Sequence, residues 1–192
     1  RVYRAGGRNC GHGERKCRNA EGGLMAAKAP ATPDQGKQII DLLTEKKKTI
    51  VTAESCTGGM IAAALTDIPG ASAALYGGYV TYANTAKTRM IHVQARLIRD
   101  YGAVSNQVAR AMADGARNTA HADYAVSVTG IAGPDGGSDR KPVGLVYVAV
   151  SSELATVVIE HRFGDLGRDE VRKASVEAAL DLVLQVLTGV ED

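Results

Sequence analysis

The run Thr52-Ala53-Glu54-Ser55-Cys56-Thr57-Gly58-Gly59 follows a β-branched stretch, Thr49-Ile50-Val51-Thr52, and leads into an apolar helical pattern from Met60 to Leu65. That order predicts a strand, a hydroxyl-rich turn and a helix. It puts Ser55 at the carboxyl end of a strand, the edge at which ligands enter open α/β sheets. Gly58 and Gly59 let a substrate approach the backbone, and the start of the helix offers N–H groups to it. The plain alternative is a helix cap, because Ser and Thr commonly precede an apolar helical run. A second segment, Gly130-Ile131-Ala132-Gly133-Pro134-Asp135-Gly136-Gly137, follows the apolar run Tyr124 to Thr129. Closely spaced glycines expose successive N–H groups suited to phosphate. The segment lacks the Gly-Lys-Ser/Thr of a Walker A loop, and no helix follows it as a dinucleotide fingerprint requires. On its own it reads equally as a tight loop.

A third segment, Gly77-Gly78-Tyr79-Val80-Thr81-Tyr82-Ala83-Asn84-Thr85-Ala86-Lys87, lies between these two. Lys141-Pro142-Val143-Gly144 and a late Phe163-Gly164-Asp165-Leu166-Gly167-Arg168 complete an ordered set. In order and spacing this set resembles the nicotinamide-nucleotide amidohydrolase family, the C-terminal domain of the competence/damage-inducible CinA proteins, which also occurs as a free-standing deamidase. The resemblance runs from about Asp34 to about Leu187. It implies hydrolysis of the carboxamide of nicotinamide mononucleotide to nicotinate mononucleotide and ammonia, feeding pyridine-nucleotide recycling in NAD metabolism. It implies no cofactor. With no N-terminal partner domain in the sequence, the match is to the free-standing form. The alternative is a nucleotide-binding regulatory domain without catalysis, linked to competence or DNA damage.

An amide has a poor leaving group, so its hydrolysis needs an activated nucleophile and a stabilised oxyanion. The resemblance gives these tasks to Ser55, Tyr82 and Lys87. Ser55 and Tyr82 end successive strands, and Lys87 follows five residues later on a helix. A neutral lysine can activate a serine in place of a His/Asp pair, provided that burial or a nearby positive charge lowers its pKa. The pyridinium ring of the implied substrate is such a charge, and it also withdraws electrons from the scissile carbonyl. Tyr82 is expected to donate to Ser55, relay a proton or hold Lys87. The plain alternatives are a tyrosine packed at a sheet edge and a solvated surface lysine. For substrate binding the resemblance points to Thr57, Gly58, Thr129, Gly130, Ile131, Ala132, Gly133 and Gly136. Arg168 is expected to grip the phosphate bidentately, from its own or a neighbouring subunit; a surface salt bridge is the alternative. Ser72, near Pro69-Gly70, reads as a turn serine rather than a nucleophile.

The elements that must position these residues follow from periodicity and punctuation. A helix begins at Pro33-Asp34 and ends near Lys46-Lys47-Lys48, where lysines suit the helix dipole. Strands are predicted at about 49–53 and 73–82, with a helix at 57–67 between them. Short helices fit 84–91 and 94–100. A helix over 107–120 carries Val108, Ala111, Met112 and Ala116 inward. A buried strand covers 124–129, and a hairpin covers 144–151 and 155–163. The last helix, 168–187, shows a stripe of Val171, Ala174, Ala178, Leu182 and Val186. Helices precede and follow the strands, which predicts a single-domain layered α/β sandwich with a mixed sheet.

Composition narrows the function further. The chain has 192 residues, no Trp and one Phe, which argues against base stacking on nucleic acid. Its formal charge is +2, but residues 1–24 hold six Arg or Lys against two Glu. Residues 25–192 therefore carry 17 basic against 19 acidic residues, no footprint for nucleic acid. No apolar run reaches the ~20 residues of a membrane-spanning helix. Residues 1–24 lack apolar periodicity and read as an extension foreign to the fold, with Met25 a natural start. Cys10, His12 and Cys17 fall within that extension without paired zinc spacing. Cys56 is the only cysteine beyond it, which suits a reduced, cytoplasmic protein. His92, His121 and His161 show no ligand spacing, and Asp135 and Asp139 read as turn residues, so no metal site is expected. Apolar strands and helices with no capping domain are compatible with a homo-oligomer.

Overall fold

The computed structural model describes residues 33–189. The expected extension at 1–24, with Cys10, His12 and Cys17, lies outside the described residues. The chain runs through α1 (Pro33–Glu45), β1 (Ile50–Glu54), α2 (Met60–Thr66), β2 (Leu75–Val80), α3 (Asn84–Ile91), α4 (Ala95–Tyr101) and α5 (Asn106–Ala120). It continues through β3 (Tyr124–Gly130), β4 (Leu145–Ser151), β5 (Thr156–Arg162) and α6 (Arg168–Thr188). The sheet order is β2-β1-β3-β4-β5. β1 pairs parallel with both β2 and β3, whereas β3–β4 and β4–β5 are antiparallel. The fold is thus a single-domain α/β sandwich with a mixed sheet, as the sequence predicts.

Burial on both faces explains the strand sequences. Every residue of β1 is buried, and β1 lies at the parallel centre, where near-continuous apolar runs are usual. Val126 and Val128 of β3 join Ile39, Leu43, Ile61, Leu65, Leu180 and Val183 in one core. Val51, Ala53 and Ala125 instead meet Ile91, Val108, Met112 and Ala116 in a second core. The pleat assigns alternate residues to opposite faces, so α1, α2 and α6 cover one face and α3, α4 and α5 the other. Full burial of each aliphatic side chain contributes ~1.5–3 kcal/mol, well above the ~0–1 kcal/mol of an exposed ion pair such as Lys173–Glu170. The core rather than the surface charge therefore holds the layers. Ser127 Oγ, buried within it, donates to Ala109 O at 2.7 Å.

The boundaries differ from expectation in informative places. The second strand begins at Leu75, because Ala71–Ala73 form a 3₁₀ turn, and it ends at Val80, so Tyr82 lies beyond it. The helix expected from residue 57 begins at Met60, since Gly58 and Gly59 adopt φ of 62° and 103° and break the helical path. On α6 the buried set is Val171, Ser175, Val176, Ala179, Leu180, Leu182, Val183 and Leu187. Ala174, Ala178 and Val186 of the expected stripe are only half-buried. The helix packs against α1 as well as the sheet, so its covered face is wider than one stripe and turned from the predicted line.

Candidate active site

Glu54, the last residue of β1, sets up the site. Its side chain is fully buried, and its two carboxyl oxygens accept from Gly59 N (2.9 Å), Ile61 N (3.1 Å) and Ala62 N (2.9 Å). A strand residue thereby caps the next helix. This corrects two expectations. The hydroxyls of Ser55 and Thr57 cap nothing, and the first N–H groups of α2 are not open to a ligand. Fixing α2 through Glu54 leaves Ser55 in the turn with its side chain free for other work.

Ser55 meets Lys87. The lysine amine lies 3.0 Å from Ser55 Oγ, and donates to Thr81 O at 2.7 Å and to Tyr82 O at 3.3 Å. Lys87 is 1% exposed and Ser55 9%, so the surface-lysine alternative fails. Burial pulls the Lys87 pKa down to about 8, with the neighbouring Cys56 sulfur acting in the opposite sense. Burial also pushes the Cys56 thiol up to about 11, which keeps it a neutral neighbour rather than a competing nucleophile. Among the described residues no carboxylate pairs with the Lys87 amine. No opposite full charge therefore offsets the penalty that burial sets on the ammonium form.

A cleft of about 270 Å³ opens above this pair. Ser55, Tyr82 and Lys87 line it, as do Thr129, Gly130, Ile131, Ala132, Gly133, Gly136 and Arg168. Of the sequence-predicted residues only Thr57 and Gly58 do not. Thr57 is fully buried with an unpartnered hydroxyl, and Gly58 faces outward beside Arg172. A cavity of about 410 Å³ between α3 and α4 shares Asn84 with the cleft but holds no nucleophile–base pair. Size alone therefore does not choose the site; the chemistry of Ser55 and Lys87 does.

The rim is organised differently. Tyr82 is 61% exposed, and its hydroxyl accepts from Arg168 at 3.1 Å rather than touching Ser55 or Lys87. Its tie to Lys87 runs through its main-chain oxygen. The other arm of the Arg168 guanidinium donates to Gly133 O at 2.9 Å, so this arginine bridges the two sides of the cleft. In the glycine loop, the N–H groups of Ala132, Gly133, Asp135 and Gly136 donate to no group among the described residues, and all four residues line the cleft. Thr129 spends its hydroxyl on Ala103 O at 2.9 Å. Lys141 donates to Tyr101 O and Val104 O at 2.6 and 2.7 Å. Together these two side chains hold the 101–104 wall against the loop.

The remaining candidates have structural places. Ser72 is exposed in the turn that precedes β2, at the opposite end of the sheet from the cleft. His92 and His121 end α3 and α5 with φ of 56° and 51°, a conformation in which His is enriched. His161 stacks on Phe163 with ring centroids 5.3 Å apart, and burial lowers its pKa. Asp139 is exposed outside the cleft, and Asp135 lines its rim. No helix among the described residues is long and apolar enough to cross a membrane.

Sequence reasoning overlooked Glu54, Lys141 and Arg172. The signal for Glu54 is an acid closing an apolar strand five residues before a Gly-Gly pair. Lys141 lies inside the Lys141-Pro142-Val143-Gly144 motif, whose residues alone give its side chain no role. Arg172 donates to Cys56 O and Thr57 O, both at 3.1 Å, and carries no local signature.

The family model for the CinA C-terminal domain matches residues 33–187. A CinA-like protein of Geobacter sulfurreducens is 48% identical over 160 residues, covering 83% of this chain and 38% of that protein. One from Citrifermentans bemidjiense is 54% identical over 147 residues, covering 76% and 35%. The chain thus spans little more than a third of the length of these curated relatives. Among solved structures, the competence/damage inducible protein CihA from Agrobacterium tumefaciens superposes with a TM-score of 0.78 at 47% identity, covering 81% of this chain and 94% of that one. A CinA superfamily protein from Escherichia coli gives 0.76 at 32% identity, covering 80% and 88%. With the match running through both Ser55 and Lys87, the chain belongs to the CinA C-terminal domain family.

Proposed function

We propose that this domain is an amidohydrolase that deamidates nicotinamide mononucleotide, with Ser55 as nucleophile and Lys87 as its base. The observation that carries this reading is a desolvated amine 3.0 Å from a serine hydroxyl at the floor of a cleft. A neutral amine has two hydrogens and one lone pair. Thr81 O and Tyr82 O take the two hydrogens, which leaves the lone pair facing the hydroxyl hydrogen of Ser55. With a pKa of about 8, about a tenth of the molecules hold the amine neutral at pH 7.

Ser55 Oγ attacks the carboxamide carbon and passes its proton to Lys87. The same proton then leaves with the amide nitrogen as ammonia, and water releases the acid from Ser55 by the reverse sequence. A pyridinium bound above Lys87 lowers the amine's pKa further by like-charge repulsion. The N–H groups of the glycine loop and the guanidinium of Arg168 receive the phosphate, which displaces Arg168 from Gly133 O. Tyr82 then serves twice: its main-chain oxygen aims Lys87, and its hydroxyl positions Arg168.

Ammonia release from the purified protein supplied with nicotinamide mononucleotide tests the reading. Stoichiometric nicotinate mononucleotide is expected alongside the ammonia. Saturable binding of the nucleotide without ammonia sinks the enzyme and leaves a binding domain.

A further inference from the structure

The Lys141-Pro142-Val143-Gly144 motif has no part in the chemistry proposed above, and Lys141 does not line the cleft. The motif is nevertheless built into the cleft's glycine loop. Ser138 N donates to Lys141 O at 2.8 Å and Lys141 N to Ser138 O at 3.1 Å, which closes the base of the loop. Val143 packs beneath it, since a Cβ on Gly133 would sit 2.8 Å from Val143 Cγ1. From this base the Lys141 side chain crosses to the segment after α4, where its amine donates to Tyr101 O at 2.6 Å and Val104 O at 2.7 Å. The turn at Gly102, with φ of 78°, brings both carbonyls to one amine. A Cβ on Gly102 would meet Lys141 Nζ at 2.8 Å, so the ammonium rests against the main chain between its two acceptors.

Both ends of this strut are anchored. Every carbonyl from Tyr101 to Val104 accepts from a side chain: two from Lys141, Gly102 O from Ser105 Oγ at 2.9 Å, and Ala103 O from Thr129 Oγ1 at 2.9 Å. On the loop side, Ile131 N donates to Leu145 O at 2.9 Å, and Ile131 O accepts from Gly144 N at 2.8 Å. The two anchored stretches carry Ala103 and Val104 on one and Ile131 and Ala132 on the other, and these are the aliphatic side chains that line the cleft. In the proposed reaction Ser55 and Lys87 take the carboxamide, and Arg168 and the loop N–H groups take the phosphate. The ring between these two ends has apolar faces, and the aliphatic lining is what is left to meet it. The Lys141 contacts are exposed or half-buried, so water can replace the ammonium at little cost. Losing it would loosen the 101–104 wall without unfolding the domain.

We propose that Lys141 is a positioning residue for ring selection: by tying the glycine loop to the 101–104 wall, it sets the spacing of the Ala103–Val104 and Ile131–Ala132 lining so that a bare pyridinium ring enters and a substituted one is refused. This rests on a pyridinium nucleotide being the substrate. Lys141 acts through the residues it holds and touches no reacting atom. Its ammonium is turned to carbonyls outside the cleft, so it adds no repulsion to a cationic ring.

Wild type and variants, as the full chain, are compared on nicotinamide mononucleotide and on its derivative methylated at the ring carbon meta to the carboxamide. One extra methyl group in an apolar pocket changes kcat/KM by about 10–200-fold, so wild type should favour the bare ring by a factor in that range. Lys141→Met keeps the aliphatic stem and removes the ammonium. It should narrow the preference to less than about threefold, and amide hydrogen exchange over 101–104 should quicken by about tenfold or more. The pH–rate midpoint should stay at the wild-type value, because Lys87 keeps its contacts. Thr129→Val, which removes the tie at Ala103 O, should move both readouts in the same direction. Arg140→Met, which removes the exposed charge next to Lys141, should move neither. Equal losses for the two nucleotides in Lys141→Met overturn the proposal, because a lysine that merely supports the fold predicts that pattern. Unchanged exchange over 101–104 overturns it as well, and so does a wild type that accepts both rings equally. If wild type releases no ammonia from either nucleotide while Lys141→Met still loosens 101–104, the substrate reading is what has failed, and ring selection falls with it.

Discussion

The floor and the rim of the cleft are built on opposite terms. Glu54, Ser55 and Lys87 are buried; Glu54 accepts from backbone N–H groups at the start of α2, and Lys87 donates to backbone oxygens of the turn after β2. Tyr82, Asp135, Gly136 and Arg168 are exposed, and Arg168 bridges the Tyr82 hydroxyl and Gly133 O. Burial is costly for an ammonium, and that cost lets Lys87 give up its proton nearer neutral pH. Exposure keeps the rim adjustable, so that a ligand can take over contacts the protein makes with itself. The proposed chemistry therefore falls to the preformed floor and the proposed substrate selection to the rim, which predicts different signatures for damage in each.

The sharpest break should come from Ser55→Ala. Turnover is expected to fall on the order of 10⁴–10⁶-fold, with an unchanged circular dichroism spectrum and melting curve. Near-normal deamidation by the folded variant removes the assignment. Lys87→Met follows, with a loss of about 10²–10⁴-fold. Lys87→Arg should not restore activity, because arginine stays protonated. In wild type the rate should rise with pH through about 8 as the amine loses its proton; a profile flat from pH 6 to 10 contradicts this.

The same lysine links the floor to stability. Its pKa is about 8 folded, against 10.5 for an ordinary lysine. Between these values the unfolded chain binds more protons, so this group's contribution rises with pH from 8 to 10.5 and is lost as pH falls through 8. The unfolding free energy of wild type minus that of Lys87→Met should show this rise in denaturant titrations. A difference independent of pH shows that the amine is charged in the fold. Glu54→Ala leaves three N–H groups without their acceptor and should destabilise the domain on the order of 2–3 kcal/mol, read as a lower urea midpoint. A midpoint within error of wild type shows that water or α2 itself replaces the carboxyl group.

The smallest effects belong to the rim. Arg168→Ala should weaken nicotinamide mononucleotide binding while leaving the phosphate-free nucleoside nearly unaffected. Tyr82→Phe, which keeps the main-chain oxygen that holds Lys87, should alter turnover by less than about tenfold. Equal losses for nucleotide and nucleoside in Arg168→Ala, or a Tyr82→Phe defect as deep as that of Lys87→Met, erase the distinction between floor and rim.

How much of this was legible depended on whether the cause was local. Apolar runs and alternation reveal β1, β3 and the β4–β5 hairpin, because pleat and burial act on neighbouring residues. The central position of β1 is not legible, since pairing with β2 and β3 depends on connections across opposite faces. Strand-end position and family resemblance together point to Ser55 and Lys87. The oxygens that hold the lysine are main-chain atoms of Thr81 and Tyr82, and Tyr82 was read through its side chain instead. Glu54 was passed over because Ser55 and Thr57 satisfy the familiar cap pattern. Arg172 and Lys141 act on carbonyls 115–116 and 37–40 positions away in sequence, where no periodicity reports them.

One glycine far from the cleft has a consequence for how this site can be lost. A Cβ at Gly115 of α5 would sit 1.9 Å from Ile91 O, the last residue of α3. The obstacle is main chain, so no side-chain rotation makes room. Alanine there would act as a shim driven under the rod that carries Lys87 one turn away, and the amine would be lifted off its serine. The tolerance of the machine is set where two helices touch without side chains between them. Inactive variants should therefore arise at a position that lines no part of the cleft.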